Sequence, residues 1–202
     1  MIISMFEILC VTNRRLCPED FLTRVNKIAA AHPAGIILRE KDLPEAEYQA
    51  LAAAVLEICK ASSTRCMLHQ FAGVAVRLNA PALHLPVYQL RNLPAGERAM
   101  FSALGASCHS VEEAVEAESL GCTYITAGHI FNTDCKRGLP GRGLDFLAQV
   151  CAHVSIPVYA IGGITPQRIA AVKQAGAAGA CVMSSIMTSG DPGRYLSSLK
   201  ES

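Results

Sequence analysis

Charge is scarce in this sequence. Asp, Glu, Lys and Arg make up 17 % of its 202 residues, against 51 % hydrophobic residues, which excludes a disordered chain. The charge present is balanced, 18 Lys+Arg against 17 Asp+Glu for a formal net charge of +1. That leaves no basic field for nucleic acid and no acidic tail. No apolar run reaches the roughly 18 residues of a membrane span, so no membrane partner is expected. The opening MIISMFEILC has no basic segment ahead of its apolar residues and reads as the start of a strand rather than a signal peptide. No Cys-x-x-Cys pair occurs, and the nine cysteines are irregularly spaced, which argues against a disulfide framework. Cys10, Cys59, Cys66, Cys108, Cys122, Cys151 and Cys181 sit inside apolar patterns, where a free thiol behaves as a small hydrophobe. Buried thiols of a reducing, cytoplasmic compartment are the expectation. No linker or low-complexity segment divides the chain. Residues 1–202 read as one domain, long enough to bury a core without staples.

What is present is alternation. Apolar runs at 6–12 (FEILCVT), 35–40, 65–70, 82–86, 103–109, 123–130, 156–163 and 179–185 are near-continuous, the pattern of strands covered on both faces. Amphipathic segments lie between them at 18–32, 44–62, 110–121, 144–154 and 165–176, with a weaker stretch at 85–101 interrupted by Pro86 and Pro94. Ser110 and Thr165 stand at N-cap positions, and Gly121 and Gly176 close the corresponding helices. Eight strands alternating with helices predict an α/β fold of TIM type, a (β/α)₈ barrel, with an open doubly wound sheet as the alternative.

In a barrel, function gathers at the C-terminal strand ends. AIGGITP (160–166) ends a strand in Gly162-Gly163 and opens a helix at Thr165-Pro166. Such glycines let backbone approach a ligand, and the N–H groups of a helix start attract an anion. Ser184 and Ser185 fall at the next strand end, so these four residues are candidate phosphate ligands. GHIFNTDCKRGLPGRG (128–143) is a long loop whose Lys136, Arg137 and Arg142 could cover an anion. Arg39 and Lys41 are two apart, so both point one way. A cationic pair on an inward face needs a ligand or a partner, and Glu40 or Asp42 is the ordinary candidate for the latter. His69, His84, His109 and His129 also fall at strand ends. His32 and His153 fall near helix ends.

These segments together resemble the thiamine-phosphate synthase superfamily over nearly the whole chain. The chain keeps Arg39 and Lys41, Thr133 and Lys136, and Ile161 through Ile164 of the synthase pattern. It departs where the synthase branch places carboxylates around magnesium and pyrophosphate. His69-Gln70 replaces an Asn-Asp pair, PVYQ (86–89) replaces a Gly-Gln-x-Asp segment, Ile37 replaces a Gln and Cys135 a Thr. The loop 128–143 instead is similar to that of the thiazole tautomerase branch over all 16 positions, and ASCHSVEEA (106–114) is close to the segment that precedes it there. The resemblance implies an isomerase of thiamine biosynthesis. His129 would carry a proton between two carbons of a carboxythiazole phosphate, without cofactor or metal, and imidazole titrates in the range this needs. Phosphate binding falls to Arg39, Lys41, Thr133, Lys136, Gly162, Gly163, Ser184 and Ser185. His109 is a further candidate, and His69 and His84 are left as pocket lining or structure.

Three alternatives stand beside this reading. They are thiamine-phosphate synthase itself, joining a thiazole phosphate to a pyrimidine pyrophosphate; a non-catalytic phosphate-ligand regulatory protein; and a metal hydrolase with an all-histidine site built from His69, His84, His109 and His129. The expected partner is a small thiazole phosphate, and the oligomeric state, homo-oligomer included, is left open.

Overall fold

The computed structural model describes residues 6–133, 136 and 138–201. Eight parallel strands close into a barrel in chain order: β1 (Glu7–Val11), β2 (Gly35–Leu38), β3 (Cys66–His69), β4 (Ala82–Pro86), β5 (Ala103–Cys108), β6 (Tyr124–Gly128), β7 (Val158–Ile161) and β8 (Gly179–Val182). Closure is made by β1 against β8, with Leu9 opposite Cys181. The open doubly wound sheet is thereby excluded.

The near-continuous apolar runs have the reason anticipated for them, since both strand faces are covered. On β1, Ile8 and Cys10 pack outward under the helices, while Leu9 and Val11 point into the barrel. The same alternation sends Ile37, Met67, Ala82, Ala103, Tyr124, Tyr159 and Cys181 inward. Large inward side chains are matched by glycine on the facing strand: a Cβ on Gly35, Gly105 or Gly179 would run into Met67, Tyr124 or Tyr159. The interior is therefore a packed core and not a channel.

Among the described residues eight α-helices connect the strands and two follow β8: α1 (Phe21–Ala30), α2 (Glu45–Ala61), α3 (Ala72–Arg77), α4 (Val87–Asn92), α5 (Ala95–Arg98), α6 (Val111–Ser119), α7 (Gly143–His153) and α8 (Ile169–Gln174), then α9 (Ser184–Thr188) and α10 (Pro192–Lys200). Ser110 caps α6 as expected, its hydroxyl accepting from the Glu113 amide at 3.1 Å. Elsewhere the boundaries move. α1 starts at Phe21 rather than near Pro18, because the Asp20 carboxylate accepts from the Thr23 amide at 2.9 Å and fixes the start there. The weak stretch 85–101 becomes the two short helices α4 and α5, split before Pro94. α3, α9 and α10 are additions that the hydrophobic pattern did not mark. The last predicted strand is cut at Val182, and Ser184 and Ser185 open α9 instead. No helix among the described residues is long and apolar enough to cross a membrane. Six of the described cysteines are buried and free, and Cys17 and Cys151 are half-buried and free.

Candidate active site

A cavity of about 1220 Å³ opens at the C-terminal end of the barrel. The strand ends and the loops that follow them supply its wall. Arg39, Lys41, Thr133, Lys136, Gly162, Gly163, Ser184, Ser185, His109 and His129 all line it, so the candidate residues are brought together.

Arg39 and Lys41 follow β2 on the inward-facing phase of that strand. Their ordinary partners are taken. Glu40 turns the other way and is buried, receiving the Thr12 hydroxyl at 2.7 Å, the Arg14 amide at 3.0 Å and the Arg14 guanidinium at 3.3 Å. Asp42 pairs with both Arg14 and Arg15 at 2.7 and 2.8 Å. Partial desolvation, then the like charges of Arg39 and Lys136, hold the Lys41 ammonium below its ordinary range. Lys136 comes from the loop after β6, which is four strands away from β2 in a ring of eight. Lys136 nevertheless lines the same cavity as Lys41.

A second cationic pole lies at β7 and β8. Gly162 and Gly163 have φ of +100° and +66°, a region that side-chain-bearing residues rarely adopt. A Cβ on Gly162 would also strike His129. Ser185 accepts a hydrogen bond from the Tyr195 hydroxyl at 2.9 Å, which leaves its own proton to donate to an anion. Arg168 joins this pole, its guanidinium donating to the Gly163 carbonyl at 2.5 Å and lying 4.5 Å from the Phe131 ring centroid. Sequence reasoning missed Arg168. Its signal was its place one turn beyond Thr165-Pro166, on the face that returns to Gly163.

The described residues of the loop 128–143 bond to one another and to the end of β7, where the Ile130 and Phe131 amides donate to the Ile161 and Gly162 carbonyls at 2.8 and 3.1 Å. The His129 Nε2–H donates to the Leu139 carbonyl at 3.2 Å, the Arg142 amide to the His129 carbonyl at 2.9 Å, and the Gly141 amide to the Asn132 side chain at 2.8 Å. Arg142 is corrected as a lid residue, because its guanidinium lies over the Phe146 ring of its own helix, 5.4 Å from the centroid. Arg137 and Cys135, and the expectations attached to them, fall outside the described residues. The Nδ1–H of His109 donates to the Gly128 carbonyl at 2.8 Å.

The other two histidines, His69 and His84, are buried and form part of the cavity lining. His84 is bonded on both nitrogens, to the Tyr124 hydroxyl at 3.0 Å and to Ser107 at 2.8 Å. His69 stacks on it at 5.9 Å between centroids. Burial, with a smaller contribution from the Lys41 charge, drives the His84 pKa down to about 3. Burial, then His84, Lys41 and Arg39, pushes that of His69 lower still. Both rings are therefore neutral at ordinary pH. Among the described residues no group of three or more His, Cys, Asp or Glu is arranged to hold a metal, so the all-histidine hydrolase has no ligand set there. A pH dependence follows. The unfolded chain takes up protons at these histidines near pH 6.5, whereas the folded chain resists until about pH 3, so stability is complete above 6.5 and falls on acidification through that window. The urea midpoint should drop markedly between pH 7 and pH 4, reflecting a loss of unfolding free energy of several kcal/mol at most for the pair. His84→Asn should flatten the slope, and an unchanged midpoint in the parent would show that these rings are not held neutral.

Comparison with known proteins decides the family. The sequence model of thiamine monophosphate synthase matches residues 8–186. The chain belongs to that family. Within it, thiamine-phosphate synthase of Roseiflexus sp. (strain RS-1) is 33 % identical over 189 residues, covering 90 % of this chain and 78 % of the relative. Thiamine-phosphate synthase of Desulfitobacterium hafniense (strain Y51) is 31 % identical over 194 residues, covering 93 % and 92 %. Thiamine phosphate pyrophosphorylase from Pyrococcus furiosus superposes with a TM-score of 0.83 at 26 % identity, covering 98 % of this chain and 95 % of that one. The first two relatives are named as synthases and the third as a pyrophosphorylase, none as an isomerase. The isomerase reading, a thiazole tautomerase with His129 as proton carrier, is therefore overturned. The physical reason lies in the loop that suggested it. Among its described residues, His129, Asn132, Leu139, Gly141 and Arg142 bond to one another, so likeness at those positions is accounted for by the loop's shape.

Proposed function

We propose that the chain is a thiamine-phosphate synthase, a transferase joining a thiazole phosphate to a pyrimidine that carries a pyrophosphate. In this reaction the thiazole ring nitrogen forms a bond to the pyrimidine's exocyclic carbon, the bond from that carbon to oxygen breaks, and the electron pair leaves with pyrophosphate. The observation that carries the reading is the pair of anion-holding poles on one mouth. Gly162, Gly163, Ser184, Ser185 and Arg168 form one, and Arg39, Lys41 and Lys136 the other. A monophosphate meeting a pyrophosphate brings two separate phosphate groups to the mouth, one for each pole. The cavity volume is also ample for two small molecules. In this reading Gly162, Gly163, Ser184 and Ser185 take the thiazole phosphate. Arg39, Lys41 and Lys136 take the pyrophosphate and stabilise the charge it gains on leaving. Thr133 anchors the turn that presents Lys136, whose amide donates to the Thr133 carbonyl at 3.0 Å. His129 and His109 order the floor of the loop between the poles.

The test is direct. The purified protein is incubated with both substrates, and the coupled product and released pyrophosphate are followed by chromatography. Stoichiometric appearance of the two is expected. Arg39→Gln should lower kcat/KM by about 10²–10³-fold, as removal of a group that meets developing charge does. Absence of product across metal-free and magnesium-containing buffers would overturn the reading.

A further inference from the structure

The mouth does not fit the divalent ion that the synthase pattern's carboxylates surround. A hard dication needs several oxygen donors, carboxylates foremost. Where that pattern has acidic residues, this chain has the buried His69 with Gln70, and the segment 86–89 without an acid. Among the described residues the mouth contains one carboxylate, Glu113, and it already accepts from the His109 amide at 2.6 Å. What the mouth has in place of acids is surplus positive charge. Arg39, Lys41 and Lys136 face the cavity together, and none of the three has an acidic partner among the described residues, because Arg14 and Arg15 hold Glu40 and Asp42. Like charges gathered without a counterion are costly, and an anion between them removes that cost. Resting on the transferase reading above, we propose that Arg39, Lys41 and Lys136 neutralise the pyrophosphate group by themselves, so that this site binds pyrophosphate without a divalent metal.

The three cations suit this chemistry differently. Arg39 offers a planar fork for two phosphate oxygens, and the two lysines act as point charges that follow the group as it departs. Lys136 lines the same cavity from the loop after β6, so it can meet the outer phosphate once the inner one is held by the pair after β2.

Calorimetric titration of the full chain with inorganic pyrophosphate tests the proposal, first in excess EDTA and then in excess magnesium. Binding in EDTA is expected, with no gain when magnesium is added. Arg39→Gln and Lys41→Ala should each weaken it at least tenfold, and Lys41→Arg should restore most of the loss. Circular dichroism of each variant separates loss of binding from loss of fold. Binding that appears only with magnesium, no binding in either buffer, or binding in EDTA that ignores all these substitutions, would each overturn the proposal. The two readings fail separately. Coupled product that requires magnesium keeps the transferase and removes the metal-free site. Pyrophosphate binding in EDTA with no product does the reverse.

Discussion

Glu40→Ala should lower the stability of the protein by about 3 kcal/mol, a fall in Tm of roughly 6–12 °C for a chain of this size. Glu40 is 1 % exposed, and both carboxylate oxygens are engaged. Truncation strands the Thr12 hydroxyl and the Arg14 amide, two donors with little access to water, each worth about 1–3 kcal/mol when left unpaired. The Arg14 charge itself is not stranded, since its guanidinium still meets Asp42 through two bonds of 2.7 Å, which keeps the loss below that of a broken, fully buried ion pair. The consequence extends to the site. Thr12 also accepts the Arg39 amide at 2.9 Å, so the carboxylate fixes the backbone from which Arg39 and Lys41 project. Glu40→Gln should recover part of the stability, because the amide oxygen still accepts from Thr12, while its NH₂ is set against the donors of Arg14. Thermal melts and phosphate titrations of the two variants check this. A Tm within about 2 °C of the parent for Glu40→Ala would show that water replaces the carboxylate.

This network also marks how far the sequence could be read. The barrel was legible because its strands are covered on both faces, so the apolar runs are continuous and their number can be counted. The cationic pair was legible as well, since spacing by two keeps Arg39 and Lys41 on one side. Its environment was not. The rivals for those cations, Glu40 and Asp42, are captured by Arg14 and Arg15, which lie some 25 positions away in sequence and beside them only after β1 pairs with β2. The same holds for Arg168, whose partner Gly163 faces it only once the turn between them has formed. Histidines at apparent strand ends divided into two kinds that a linear pattern cannot separate. All four line the cavity, but His69 and His84 sit on the inward phase of their strands and are almost fully buried at its floor, whereas His109 and His129 lie beyond the last paired residue. The loop 128–143 misled in the opposite sense. A long motif invites a chemical reading, yet among its described residues contacts such as Asn132 to Gly141 fold the loop.

Gly105→Ala should be at least as destabilising as the loss of Glu40, about 3 kcal/mol or more, for a reason of volume alone. Gly105 lies on the inward face of β5 directly opposite Tyr124 in register, and an added methyl would overlap the Tyr124 ring and hydroxyl. The ring has little room to retreat. Tyr124 is 7 % exposed, meets Tyr159 edge-on at 5.7 Å and is held by His84 at its hydroxyl. The two strands carrying the pair are bonded on both sides in a closed barrel, so neither backbone can slide to relieve the overlap. Inserting a methyl into such packing costs about 1–3 kcal/mol, and displacing the ring adds the loss of a buried hydrogen bond of roughly 1 kcal/mol. A second substitution isolates the cause. Tyr124→Leu removes the far end of the ring and should destabilise on its own by opening a cavity. In that background Gly105→Ala should cost much less, because its methyl enters the vacated space. The double-mutant cycle should therefore give a coupling of about 1–3 kcal/mol in the favourable direction. Additive losses in urea denaturation would mean that the methyl is resisted by the β-sheet backbone and not by the tyrosine.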